Sequence, residues 1–163
     1  MTEVPILDYQ QGLYAFGGDE EMFLSMINLY DEEHFNQQVL RLHKGLMKMD
    51  FDEIRIGGYM MKGPAAYIGA QRLYNIAAEL QRKGAAKEPM NSILKDYFKF
   101  LNVARELKKE IAKILKRPVS LDVADFDIFE TQVRATFPDY SKTIKENNSA
   151  QNMNPVCQGC NIF

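Results

Sequence analysis

Residues 93–114 read ILKDYFKFLNVARELKKEIAKI. Ile93, Tyr97, Phe100, Ala104, Leu107, Ile111 and Ile114 follow one another at alternating steps of four and three. That spacing puts every apolar side chain on one stripe of a long helix, the seam by which a helix joins a bundle. Pro118 stands as the stop. Working outward, residues 70–83 carry a second stripe through Leu73, Ile76, Ala77 and Leu80, read as closing at Gly84, with residues 83–89 as the loop. Asp19-Glu20-Glu21 opens a long helix, with its acids where the helix dipole favours them. Met22, Met26, Leu29, Phe35, Val39, Leu42 and Leu46 are its expected buried stripe. Asp31, Glu32, Asn36, Gln37, Arg41 and Lys44 are expected to face out. That helix runs to about Met49, and Asp50 caps the next. Asp8 caps a short helix that ends at Gly17-Gly18.

Residues 51–69 are ambiguous on propensity, because Gly57-Gly58 and Gly63-Pro64 weaken a helix. Ile54, Met61, Ala65 and Ile68 nonetheless share one helical face, and Arg55, Tyr59, Lys62 and Ala66 share another. Phe126, Phe129, Val133 and Phe137 predict a short accessory helix within residues 119–140. No useful strand-like alternation occurs. The expected fold is all-α, an antiparallel four-helix bundle with a short N-terminal helix and a C-terminal accessory helix. Residues 1–140 form the bundle with its accessory segment. From Ser141 the apolar spacing disappears and Asn recurs, so residues 141–163 read as a flexible tail.

The 163 residues and 18.8 kDa suit a single domain. Lys+Arg 20 against Asp+Glu 22 gives a net charge of −2, which argues against nucleic acid as partner. No apolar run approaches a membrane span. The opening residues lack the basic flank and apolar stretch of a signal peptide, and Thr2 excludes N-myristoylation. A cytoplasmic protein is expected, and no cofactor is called for. The two cysteines, Cys157 and Cys160, allow no disulfide framework for the body of the chain.

Residues 59–70, Tyr59-Met60-Met61-Lys62-Gly63-Pro64-Ala65-Ala66-Tyr67-Ile68-Gly69-Ala70, resemble the signature of histidine-containing phosphotransfer (HPt) domains. In that family the pattern runs His, any residue, Leu, Lys, Gly, small residues, an apolar residue, Gly and a small or apolar residue. Met61 takes the Leu place, and Lys62, Gly63, Ala65, Ala66, Ile68, Gly69 and Ala70 fit directly. Phe16-Gly17-Gly18-Asp19-Glu20-Glu21 is similar to the family's helix opening, and the likeness covers roughly residues 6–117. The resemblance implies a four-helix bundle that docks receiver or histidine-kinase domains of a phosphorelay.

Tyr59 stands where the family has its phosphoacceptor histidine. Phosphoryl capture from phospho-aspartate needs a nucleophilic imidazole, and a phenol is almost wholly protonated near neutral pH. Lys62 persists as a point charge suited to a phosphoryl oxygen or a carboxylate, and Gly63 leaves a shallow surface for a close approach. Pro64 removes the donor to the Met60 carbonyl, so a kink is expected there. The first expectation is therefore a pseudo-phosphotransfer protein rather than an enzyme. It has no catalytic residue, and Arg55, Tyr59, Lys62 and Gly63 form its docking face. Tyr59 as a plain exposed bundle tyrosine is the bland alternative. A second expectation is a working phosphotransfer protein with another acceptor such as His43, although both His43 and His34 read as surface histidines. A third is a helical adaptor with no phosphorelay role.

Cys160-Asn161-Ile162-Phe163 matches the C-a-a-X pattern, which implies a prenyltransferase acting on Cys160 in a eukaryotic cell. One prenyl group holds a membrane only marginally, so Cys157 is the candidate for palmitoylation and the pair for membrane association. Cys157-Gln158-Gly159-Cys160 also reads as C-x-x-C. A zinc site lacks two further ligands, and a redox site lacks a thioredoxin-like context, so no metal is expected.

Overall fold

The computed structural model describes residues 4–119 and 123–140. Among them every regular element is helical. The elements are α1 (Tyr9–Ala15), α2 (Glu20–Leu29), a π-helical turn (Tyr30–Phe35), α3 (Asn36–Met47), α4 (Phe51–Tyr67), α5 (Gln71–Ala86), α6 (Met90–Ile114) and α7 (Val123–Thr136). The three acids read as caps all act as caps. Asp8 accepts from the Gln11 N–H, Asp19 from Met22, and Asp50 from both Asp52 and Glu53. The seam of α6 is buried from Ile93 to Ile111, and Phe126 and Val133 bury the inner face of α7.

Helix α4 is central. It packs against α3 on one side and α5 on the other, α5 continues onto α6, and α7 lies on α6 and α3. Three-residue connections join α3 to α4, α4 to α5 and α5 to α6, so each helix reverses on its predecessor. The glycines that looked like weak points in α4 make the close approach to α5. A Cβ on Gly58 would stand 2.6 Å from the Ala77 carbonyl oxygen and 2.7 Å from the Gln81 nitrogen. From the other side, Gly84 sits against the α4 backbone, where a Cβ would lie 2.8 Å from the Arg55 nitrogen. Gly84 therefore does not end α5. The helix continues to Ala86 and stops at Lys87, which adopts a left-handed conformation.

The helix opened by Asp19 runs to Met47, and its first half is rotated relative to the expected stripe. Phe23, Ile27 and Tyr30 are buried, whereas Met22, Met26 and Leu29 are exposed. Both triplets have steps of four and three, so periodicity alone does not choose between them. The π turn then absorbs the phase difference before Phe35, Val39, Leu42 and Leu46 resume the buried stripe.

Asp31, expected in solvent, is 2% exposed. Its carboxylate lies 2.6 Å from the ammonium of Lys108 on α6 and 2.8 Å from the Arg117 guanidinium. Lys108 is fully buried. It also donates to the Asp31 carbonyl and to Asn36, and its ammonium stands 5.1 Å from the centre of the Phe35 ring. Burial pulls the Lys108 ammonium below its ordinary pKa, and the Asp31 carboxylate opposes that shift. A buried cation persists only where its donors are matched, and these partners lock the π turn onto α6.

Candidate functional site: the Tyr59 face

Helix α4 carries Tyr59, Lys62 and Gly63 of the signature outside the core, whereas Met61 and Ala65 of the same motif are buried. Tyr59 is 58% exposed, and the position of a Cβ on Gly63 has no heavy atom within 4 Å. The Lys62 ammonium donates to Gln81 Oε1 at 2.9 Å, which ties it to α5. Arg55 stands one turn before Tyr59, half-buried, 3.5 Å from the Asp52 carboxylate. It does not line the notch around Tyr59.

Pro64 lies inside α4, and the helix runs through it to Tyr67. A proline at this place leaves the Met60 carbonyl without its helical N–H. His34 supplies the replacement, because its Nε2 lies 3.0 Å from the Met60 oxygen. The ring comes from the π turn, which turns His34 toward α4. His34 is therefore half-buried between two helices, not an exposed residue among acids.

His34, Tyr59, Met60, Lys62, Gly63 and Pro64 line an open notch of about 300 Å3. His34 and Pro64 also line a neighbouring larger groove of about 420 Å3, whose other walls are Phe16, Met26, Leu29, Tyr30, Tyr67 and Ile68. Met26, Leu29 and Tyr67 are exposed there. The local motif points to Tyr59, Lys62 and Gly63 but not to the groove. The stripe expected for α2 places Met26 and Leu29 in the core, and Tyr67 carries no signal of its own inside the motif.

His43, the alternative acceptor, is 6% exposed and not a surface residue. Its ring stacks on Phe129 of α7 with centroids 4.4 Å apart. Nε2 lies 2.8 Å from Gln132 Oε1, which can only accept, so Nε2 carries the hydrogen. Nδ1 then accepts from the Tyr97 hydroxyl at 2.7 Å. Burial lowers the pKa of this imidazole and raises that of the Tyr97 phenol.

Among the described residues no cluster of three His, Cys, Asp or Glu side chains could hold a metal ion. Among the same residues no helix is long and apolar enough to cross a membrane. Cys157, Cys160 and the rest of residues 141–163 lie outside the described residues. Comparison of the chain with family models, with curated proteins and with solved structures gives no match.

Proposed function

We propose that the chain is a pseudo-phosphotransfer protein. It docks the receiver or histidine-kinase domains of a phosphorelay over Tyr59 without carrying the phosphoryl group. In this reading α3, α4, α5 and α6 are the four helices of an HPt-like antiparallel bundle, with α1 and α2 covering one end. The observation that carries the proposal is that the Gly63 notch and an apolar groove lie side by side, with His34 and Pro64 lining both. An apolar patch rimmed by polar groups is the usual form of a surface that binds another protein. Here it lies beside the positions that the signature marks for docking. Lys62 supplies a cation at the rim for the acidic pocket of a receiver, and the absent side chain of Gly63 lets that pocket come close.

His43 does not suit the role of a displaced acceptor, since its ring is buried and both nitrogens are hydrogen-bonded. The test is a titration of receiver and kinase domains from phosphorelays against the wild type and Lys62→Glu. Binding by the wild type is expected, weakened at least about tenfold by the charge reversal, because a rim cation facing an acidic partner becomes a repulsion. Equal binding by the two proteins contradicts the proposed face. No binding by either favours an adaptor without a phosphorelay role.

A further inference from the structure

The charge of the chain is unevenly divided. Residues 1–40 hold eight acidic side chains and no Lys or Arg, whereas all 20 Lys and Arg stand from Arg41 onward among 14 acids. The first 40 residues contain α1, α2 and the π turn, and they supply Phe16, Met26, Leu29, Tyr30 and His34 to the apolar groove. The groove is thus built mostly from the acidic part of the chain, yet no carboxylate lines it. Met26 and Leu29 continue a stripe that begins at Met22, and all three are exposed at the four-and-three spacing of one helix face. Glu21 stands at the start of that stripe, and Glu33 follows Leu29 by four residues. Both are exposed, and neither makes an ion pair or a side-chain hydrogen bond among the described residues. Asp31 and Glu32 differ, because the Arg117 guanidinium already faces both.

We infer that this groove binds a helix of a partner protein, amphipathic and basic on its flanks. Apolar anchors at i, i+4 and i+7 span about 10 Å along a helix, the same length as the stripe from Met22 to Leu29. The unbranched thioether side chains of Met22 and Met26 adjust to such anchors without demanding one shape. Lys or Arg beside the anchors would find Glu21 toward one end and Glu33 toward the other, two carboxylates that no cation among the described residues matches. An acidic helix would meet repulsion at both ends. A second copy of this chain is a poor occupant, since a two-fold contact through the groove would set one acidic segment against the other. The inference concerns the groove alone, and it holds whether the helix belongs to a receiver domain or to another protein.

The test titrates the full chain against two designed peptides. They share one apolar face, Leu at i, i+4, i+7 and i+11, and differ only in the flanks, Lys in one and Glu in the other. Fluorescence anisotropy should show the Lys peptide binding at least about tenfold more tightly, by a margin that shrinks as salt screens the carboxylates. Glu21→Gln/Glu33→Gln should weaken the Lys peptide roughly fivefold and not the Glu peptide. Met26→Gln/Leu29→Gln should abolish binding with little change in melting temperature, because both side chains are exposed in the folded chain. Amide shifts of the wild type on adding the Lys peptide should centre on Met22, Met26, Leu29 and Tyr67. No binding of the Lys peptide, equal affinity for the two peptides, or binding that survives loss of Met26 and Leu29 would each overturn the inference. So would shifts centred away from α2, or self-association of the wild type through α2. Lys62→Glu, the variant that tests the docking reading, should leave the affinity for the Lys peptide largely unchanged, because Lys62 lines the notch and not the groove.

Discussion

Met60, Pro64 and His34 form a three-residue unit in which a backbone defect and a side chain compensate each other. Replacing His34 by Ala leaves the Met60 carbonyl without a protein donor and should cost about 1 kcal/mol. In a Pro64→Ala background, where the new residue restores the helical N–H, the same replacement should cost nearly nothing. Denaturant melts of the four proteins measure that coupling, and additive effects would show that the His34 bond contributes no stability. The glycines of α4 make a second contrast. Gly58→Ala drives a methyl into the α5 backbone and should destabilise by about 1–3 kcal/mol. Gly63→Ala meets open space and should stabilise by about 0.5–1 kcal/mol through helix propensity. Melting temperatures moving the same way for both would contradict the assigned contact between α4 and α5.

Helix α7 is held to α3 and α6 by His43, whose partners are Tyr97 on α6 and Gln132 and Phe129 on α7. Burial lowers the folded-state pKa of His43, so below its unfolded value of about 6.5 the unfolded chain takes the proton first. The resulting stability is present above that value and is lost as pH falls toward the folded pKa. Tyr97 does not titrate in this window, since its pKa is raised. Melting temperature should fall more between pH 7.5 and pH 5 for the wild type than for His43→Gln, and equal slopes would contradict the neutral buried ring. The elements themselves are largely legible in the sequence. Asp8, Asp19 and Asp50 mark helix starts by their cap chemistry, and the seam of α6 needs no partner to be recognised. The phase of α2 is not legible, because Met22, Met26, Leu29 and Phe23, Ile27, Tyr30 are equally regular and a π turn is invisible to a count of 3.6 residues. Nor can a local pattern show that Asp31 pairs with Lys108, which lies 77 residues away.

At the scale of the molecule, α4 connects the packing to the candidate site: its inner glycines bring α5 close, and its outer residues form the notch. The half of the site within residues 59–63 can be read from a local motif. The other half comes from α1, α2 and the π turn, and His34 reaches it from 26 residues away. The same rotation of α2 that buries Phe23 and Ile27 exposes Met26 and Leu29 to the groove, so the packing frame and the exposed groove have one cause. Chemical-shift mapping of the labelled chain during titration with an unlabelled receiver domain tests the central claim most directly. The account predicts saturable shifts concentrated at Met26, Leu29, Tyr59, Lys62, Gly63 and Tyr67, with α7 unaffected. Saturable shifts centred on α7 or on the outer face of α6, with the Tyr59 face silent, would contradict it.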